Sequence, residues 1–357
     1  MTSTTAHGVV LGDDLAVALG PELSALWRIS RGPSLSKIWV EHAHGSPIAA
    51  VLTTRRPSTA ATKIAHTWRA TAVPEADAAL NRLVEHVIGD ARSRGDVAVK
   101  WQTVDGDPAP SHAGFTAMRA PYVSAAGTEG IAGYIFWLLQ VSHVEPPYYA
   151  QTSTFTCGAV TALLASEIRG SGGFGATPNN RDQELEFWRQ ASNFPACEPV
   201  GLAVALRSSL DDAAGSAPVE VFLDTEGPAL LEAYPSGFDR SFREELQANS
   251  LSQALGSDIA VNRQRIAIDV LATRIRAGEL ALVLINTQLM YGFAVPHWVL
   301  AHSVEDGVVI IDDPTISSAW GETWVDAHEL PIPIDELDRM IAWGDDGYRG
   351  VVFVRRA

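Results

Sequence analysis

Cys157 opens a run of small and apolar residues, Cys-Gly-Ala-Val-Thr-Ala-Leu-Leu-Ala-Ser-Glu-Ile168, that predicts a helix over 159–168 with Thr156-Cys157-Gly158 at its N-terminus. A thiol there faces unpaired backbone N–H groups and the positive end of the helix dipole, and both favour the thiolate. Six residues upstream, Gln151 carries an amide N–H that can fold back toward an oxyanion beside the thiol. One such donor is worth roughly 3 kcal/mol of transition-state stabilisation. A thiolate nucleophile needs a base, and the base needs an orienter. Three histidines follow Cys157: His297, His302 and His328. Pro296–His302 reads as a strand, Glu305-Asp306-Gly307 as a turn, and Val308–Asp313 as a returning strand closed by Pro314. In that hairpin His297 starts one strand and Asp313 ends its partner, so antiparallel pairing brings the two together. A carboxylate beside an imidazole fixes its tautomer and orientation.

The other candidates read as structural. His302 lies five residues after His297 and faces the other way on a regular strand. Asp312 and Asp313 point to opposite faces, so only one can serve. The sixteen-residue offset from His297 and the following Pro314 favour Asp313. Cys197, at a small-residue helix start, reads as a buried packing thiol. No Cys/His pair has ligand spacing, so no metal is expected, and no cofactor either. The run from Gly170 to Gly175 follows a helix and opens none, so it reads as a loop and not a phosphate cradle.

A Gln-x5-Cys-Gly start to a helix, then a hairpin His and Asp-Pro sixteen residues apart, resembles the papain-like cysteine peptidases that process double-glycine bacteriocin leaders. It is more similar to their stand-alone, soluble bacterial relatives, which are thirty-nine-like in cysteine-peptidase family terms. Ala196–Ala203, Leu282–Gln288 and Ala294–Trp298 extend the resemblance over about residues 145–320. It implies an α+β, papain-like domain with a cysteine helix packed on an antiparallel sheet. Carried over by position, it implies Cys157 as nucleophile, His297 as general base and acid, Asp313 as orienter and Gln151 as oxyanion donor. The implied substrate is a peptide or amide. The leader peptidases are fused to membrane transporters and this sequence shows no membrane segment, so leader recognition is not implied. The roughly 140 residues between Cys157 and His297 read as an insert supplying substrate-recognition surface.

Upstream, Lys37–Glu41 and Pro47–Thr54 read as strands, Glu75–Ser93 as an amphipathic helix and Val97–Thr103 as a strand. Ala113-Gly114-Phe115 and a further short strand follow. This order resembles the C-terminal half of an α/β GNAT acyltransferase domain, over roughly residues 10–140. Such a domain holds the cofactor pyrophosphate on a glycine-rich loop at a helix N-terminus. The corresponding stretch here, Thr54–Ala60, has no glycine; Arg55 and Arg56 could still meet a phosphate, but a solvated turn is the plainer reading. A degenerate domain that transfers no acetyl group is expected. The boundaries follow as a GNAT-like domain over 1–140, a linker over 141–147 ending Glu145-Pro146-Pro147, and the peptidase-like domain over 148–357.

A chain of 357 residues, 46% hydrophobic and 19% charged, has material for about two cores and is not disordered. The 26 basic and 42 acidic side chains leave a formal charge of −16. That balance speaks against a nucleic-acid partner and an anionic membrane surface. The whole excess falls in residues 141–357, with 14 basic and 30 acidic side chains against 12 and 12 before it. Such a field favours a basic or neutral peptide, although a soluble, self-repelling surface is the plainer reading. Two cysteines make no disulfide framework, and Met1–Gly8 has no apolar leader, so a cytoplasmic location is expected. Leu280–Ala301 is long and apolar, but Asn286, Thr287, Gln288, Gly292 and Pro296 divide it into two strands. Glu220–Leu223 and Tyr348–Arg355 read as strands, the latter closing the sheet. Arg263–Ala277 reads as a helix and Thr225–Leu255 as a helical lid. Whether the acyl acceptor is water or an amine (ligation or cyclisation) stays open at this stage, as does a non-catalytic binding role.

Overall fold

Two sheets carry the chain, one in each half. The computed structural model describes residues 2–6, 11–104, 106, 109–110, 112–124, 128–175, 179–191, 196–210, 218–257 and 259–356. Met1, His7 and Gly8 of the N-terminal stretch lie outside them. The first half runs β1 (Thr2–Ala6), α1 (Asp13–Trp27), β2 (Leu35–Ala43), β3 (Ser46–Arg55), β4 (Ala61–Arg69), α2 (Ala76–Ser93), β5 (Ala98–Val104), β6 (Thr116–Ala117) and β7 (Ile131–Trp137). Its sheet has the order β1-β2-β3-β4-β5-β7-β6. Only β4 and β5 pair in parallel among its strands, and α2 makes the crossover that such a pair requires. Leu83, Val84, Val87 and Ile88 on one side of α2 pack on Trp39, Val51, Ile64 and Val99. The helix ends where Gly95 adopts φ 78°, a left-handed conformation that glycine takes without a Cβ clash. On the opposite face, Leu15, Leu19 and Trp27 of α1 cover Ile38, Val40, Ala50 and Leu52.

The second half runs α3 (Cys157–Ile168), α4 (Asn180–Ala191), α5 (Pro199–Ser209), β8 (Val219–Leu223), α6 (Phe238–Gly256), β9 (Ala260–Asn262), α7 (Ile268–Arg276), β10 (Glu279–Asn286), α8 (Gln288–Tyr291), β11 (Pro296–Glu305), β12 (Val308–Asp312), α9 (Trp324–Ala327), β13 (Leu330–Pro333), α10 (Ile334–Met340) and β14 (Gly350–Arg355). The sheet order is β13-β12-β11-β10-β14-β8-β9. β14 therefore lies inside the sheet, between β10 and β8. The residues between Cys157 and His297 are not an appended recognition surface: they supply α4 to α8 and β8 to β10, including strands of the sheet itself. Within Thr225–Leu255 the helix begins only at Phe238, and it packs on α5. The apolar run Leu280–Ala301 is β10, α8 and β11, and among the described residues no helix is long and apolar enough to cross a membrane.

β11 is buried on both faces, which explains its nearly unbroken apolar run. Trp298 and Leu300 pack with Val160 and Leu164 of α3 and Leu202 and Leu206 of α5. On the other face, Val299 and Ala301 join Leu271 of α7, Trp324 of α9 and Leu337 of α10. That cluster also contains Ala61, Ala98, Met118 and Ile135 from the first half. The halves thus share one of the buried clusters. Polar bonds reinforce it: Ala60 N–H donates to Pro331 O at 2.8 Å and Trp324 Nε1 to Ile131 O at 3.1 Å. Gly133 lies under the Trp324 ring, where a Cβ would come within 2.6 Å of it. Buried cations from the first half meet the acidic half: Lys63 pairs with Asp326, and Lys100 Nζ donates to His328 O. Burial brings the Lys100 amine down to about 7.

Candidate active site

The site starts with how α3 is set in place. Residues Cys157 to Ser166 of α3 are all buried, which suits a helix apolar on every side. Gly158 follows Cys157 because a Cβ there would stand 3.0 Å from Cys197 Cβ and 3.1 Å from the Trp298 ring. The approach to the helix is tied down by Glu184 of α4. That fully buried carboxylate accepts from Thr152 N–H at 2.9 Å, Thr152 Oγ1 at 2.8 Å and Tyr149 O–H at 3.1 Å, and it also takes the Thr156 hydroxyl.

Cys157 and His297 stand close enough for each to shift the ionisation of the other. His297 Nε2 lies 2.8 Å from Asp313 Oδ1, so Nδ1 is the ring nitrogen not engaged by that carboxylate. Asp313 is fully buried and has every acceptor position used. Oδ1 also takes Thr315 N–H at 2.9 Å, while Oδ2 takes Arg56 Nη1 at 2.8 Å and Tyr291 O–H at 2.6 Å. Its carbonyl accepts from Tyr148 O–H at 2.7 Å. Gln151 N–H donates to Pro314 O at 2.9 Å, which sets Gln151 beside the same turn. Its side-chain Oε1 is buried without a hydrogen-bond partner among the described residues.

Three pKa shifts describe the charge state. Burial pushes the Cys157 thiol up, but the His297 charge and hydrogen bond, with backbone N–H groups of Trp298 and Gly158, bring it below 9.0. Burial pulls His297 down, yet the Asp313 carboxylate and the Cys157 thiolate raise it to about 10. Burial also opposes the charge on Asp313, and His297, Arg56 and Tyr291 outweigh it, holding the carboxyl well below its usual range. The set favours a thiolate–imidazolium pair oriented by a carboxylate. Cys197 is the contrast: burial and the nearby Cys157 and Glu198 push its thiol well above 9.0.

A cleft of ≈ 400 Å³ is lined by Gln151 and His297. Its walls are Tyr291, Phe293, Val295, Ile316 and Trp320, with the hydroxyls of Thr154, Thr287, Thr315 and Ser317, and no carboxylate among the described residues lines it. The fold thus bonds His297 to Asp313, sets Cys157 near enough to His297 to share its charge effects, and puts Gln151 with His297 on one cleft. Asp312 turns the other way and meets His328 Nδ1 at 2.8 Å. His302 sits at a bulge in the β11–β12 pairing between Ala301 and Ser303.

Arg55 and Arg56 do not form a solvated turn. Arg55 Nε pairs with Asp96 at 2.8 Å, and Arg56 is buried between Asp313 and Glu322, with its guanidinium 4.9 Å from the Tyr291 ring centroid. Burial opposes the Arg56 charge, but Glu322, Tyr291 and Asp313 hold it firmly in place. Arg56, Tyr291 and Glu184 are the site residues that sequence reasoning missed. The one signal for Arg56 was its position in a glycine-free turn between two strands.

Residues 146–355, more than half of the chain, match the Peptidase_C39 like family, and the chain belongs to that family. No curated protein matches the chain. Among solved structures, it is similar to the IAA acetyltransferase from Bacillus cereus (13% identity, 38% of this chain and 100% of that one, TM-score 0.27). It is likewise similar to the ribosomal-protein-S18-alanine N-acetyltransferase from Escherichia coli (14% identity, 40% and 97%, TM-score 0.26) and the GNAT domain of S. lividans PAT (18%, 33% and 70%, TM-score 0.23). Scores this low support no assignment of the first half, which is described from its own strands and helices.

Proposed function

We propose that the chain hydrolyses a peptide or amide bond through an acyl-enzyme on Cys157. The observation that carries this reading is His297, its Nε2 held by the buried Asp313, on the strand against which the Cys157 helix packs. The Cys157 thiolate adds to the carbonyl carbon, and the oxyanion takes hydrogen bonds from the Gln151 side-chain amide and the free N–H groups where α3 begins. The C–N bond breaks as the imidazolium gives its Nδ1 proton to the departing amine. Water then adds to the thioester, passing a proton to His297. The carboxylic acid leaves and the thiolate returns. The cysteine helix packed on the sheet that carries His297 supports a papain-like arrangement.

The cleft walls refine the substrate. Aromatic and aliphatic side chains without a carboxylate suit an apolar residue next to the scissile bond. The acidic excess of this half gives less reason to expect a basic residue there, because Asp313, Glu322 and Asp326 are spent on Arg56 and Lys63. The first half supports the site and transfers no acyl group in this reading. Thr54, Arg56, Thr59 and Ala60, in the stretch where a GNAT domain would cradle pyrophosphate, are buried.

The experiment is a peptide library offered to the wild type and to Cys157→Ala, with products read by mass spectrometry with and without an added amine. Cys157-dependent cleavage beside apolar residues supports the reading. Amide products growing with amine concentration assign transfer instead of hydrolysis, and turnover that persists in Cys157→Ala removes the thiol mechanism altogether.

A further inference from the structure

We propose that His143, His302 and Glu329 form a binding site for one divalent transition-metal ion of the zinc class, separate from the thiol site. The three residues come from distant segments: the extended stretch after β7, the bulge in β11 and the residue before β13. One donor atom from each lies within 4.8 Å of the others. The side chains are buried, at 6% exposure for His143, 0% for His302 and 2% for Glu329. No regular spacing links them, so the sequence motif test for a metal could not register them.

Hydrogen-bond accounting around this group does not close with protein atoms. Neither ring nitrogen of His302 has a hydrogen-bond partner among the described residues, nor does Glu329 Oε1. A buried imidazole with both nitrogens unpaired is a costly arrangement unless something else meets it. His302 Nε2 stands 3.7 Å from Glu329 Oε1 and 3.8 Å from Asp312 Oδ1. Those separations are too long for hydrogen bonds. They are close to the distance between two atoms bound to one ion, which at a tetrahedral zinc is roughly 3.4 Å.

The donor chemistry agrees. Two imidazoles and a carboxylate suit zinc and its first-row neighbours better than calcium or magnesium, which prefer all-oxygen sets. His143 presents Nε2 to Glu329 Oε2 at 2.6 Å, and its Nδ1 lies 3.4 Å from Glu305 Oε1. That contact is no hydrogen bond, so Nδ1 of His143 is a third buried ring nitrogen of the group without a hydrogen-bond partner among the described residues. Glu329 itself holds φ 54°, a left-handed backbone that is strained for a glutamate and needs its surroundings to maintain it. An ion here would clasp the segment entering the second half to β11 and to the start of β13.

The test uses the full-length chain carrying Cys157→Ala, so that the thiol cannot take the ion and the catalytic reading is not at stake. After chelator treatment the protein is titrated with Zn²⁺ alone by calorimetry, and its Tm is read with and without Zn²⁺. The inference predicts one Zn²⁺ per chain with a Kd in the micromolar range or tighter, and a Tm raised by several degrees. Glu329→Gln and His143→Gln should each weaken binding by roughly tenfold or more. His143 lies outside every helix and strand, so its variant decides the matter if Glu329→Gln fails to fold. The inference is overturned by an absence of saturable binding, by binding unchanged in His143→Gln, or by binding found only when Cys157 is present.

Discussion

Asp313 is where the charge network converges: four hydrogen bonds reach its carboxylate, from β11, α8, the following turn and the first half. Asp313→Asn keeps the shape but presents an amide to His297, so the imidazolium loses its counter-charge. Turnover should fall on the order of 10³-fold or more, with little change in KM. The pH dependence carries a definite sign. His297 is raised from 6.5 to about 10, so its contribution to stability is full below 6.5 and is lost as pH rises through about 10. In the proposed mechanism the thiol–imidazole pair should give kcat/KM an alkaline limb near 10 and an acid limb below 9.0. In Asp313→Asn the alkaline limb should move toward neutrality, as a rate profile would show. At this scale much was legible. The His297–Asp313 contact could be read because both residues belong to one hairpin, and the position of Cys157 because it opens a helix. Arg56 and Glu184 could not, because their partners are 257 and as many as 35 residues away.

The turn between β3 and β4 acts on the site from the other half. Arg56 is the only described cation that the Asp313 carboxylate meets besides His297. Removing its guanidinium leaves Asp313 and Glu322 buried against each other's charge. Arg56→Met should cost about 3–5 kcal/mol, read as a lower Tm, and should reduce kcat as well. Arg56→Lys should restore little, since one ammonium cannot span both carboxylates as the planar guanidinium does. Tyr291→Phe deletes a single bond to Asp313 and should cost about 1–3 kcal/mol. Element reading from the sequence succeeded where periodicity was strong, as in α2 and the β11–β12 hairpin. It missed β4, whose Lys63 and His66 interrupt an apolar pattern. The cause is tertiary: Lys63 is buried against Asp326 in the other half.

The two halves were visible in the step of net charge, and their union was not. Ala61, Ala98, Met118 and Ile135 belong to the same buried cluster as Trp324 and Leu330. Arg56, Lys63 and Lys100 fill positions among carboxylates and carbonyls of the second half. A chain built this way should unfold as one cooperative unit. Calorimetry should give a single transition whose calorimetric and van't Hoff enthalpies agree. Residues 146–357 expressed alone should lack a sharp transition, because the cut exposes Trp324 and strands three buried carboxylates. Two well-separated transitions in the full chain would contradict the shared core.

The central claim concerns the ionisation of one thiol, and its most direct test needs no substrate. The measurement is the rate of iodoacetamide alkylation at Cys157 and Cys197, followed by mass spectrometry across pH. The account predicts Cys157 alkylation many-fold faster than Cys197 at about pH 7, persisting to lower pH than an ordinary thiol allows and slowed by His297→Ala. Equal, slow labelling of both cysteines, with Cys157 reactivity rising only in a single titration at 9.0 or above, would contradict it.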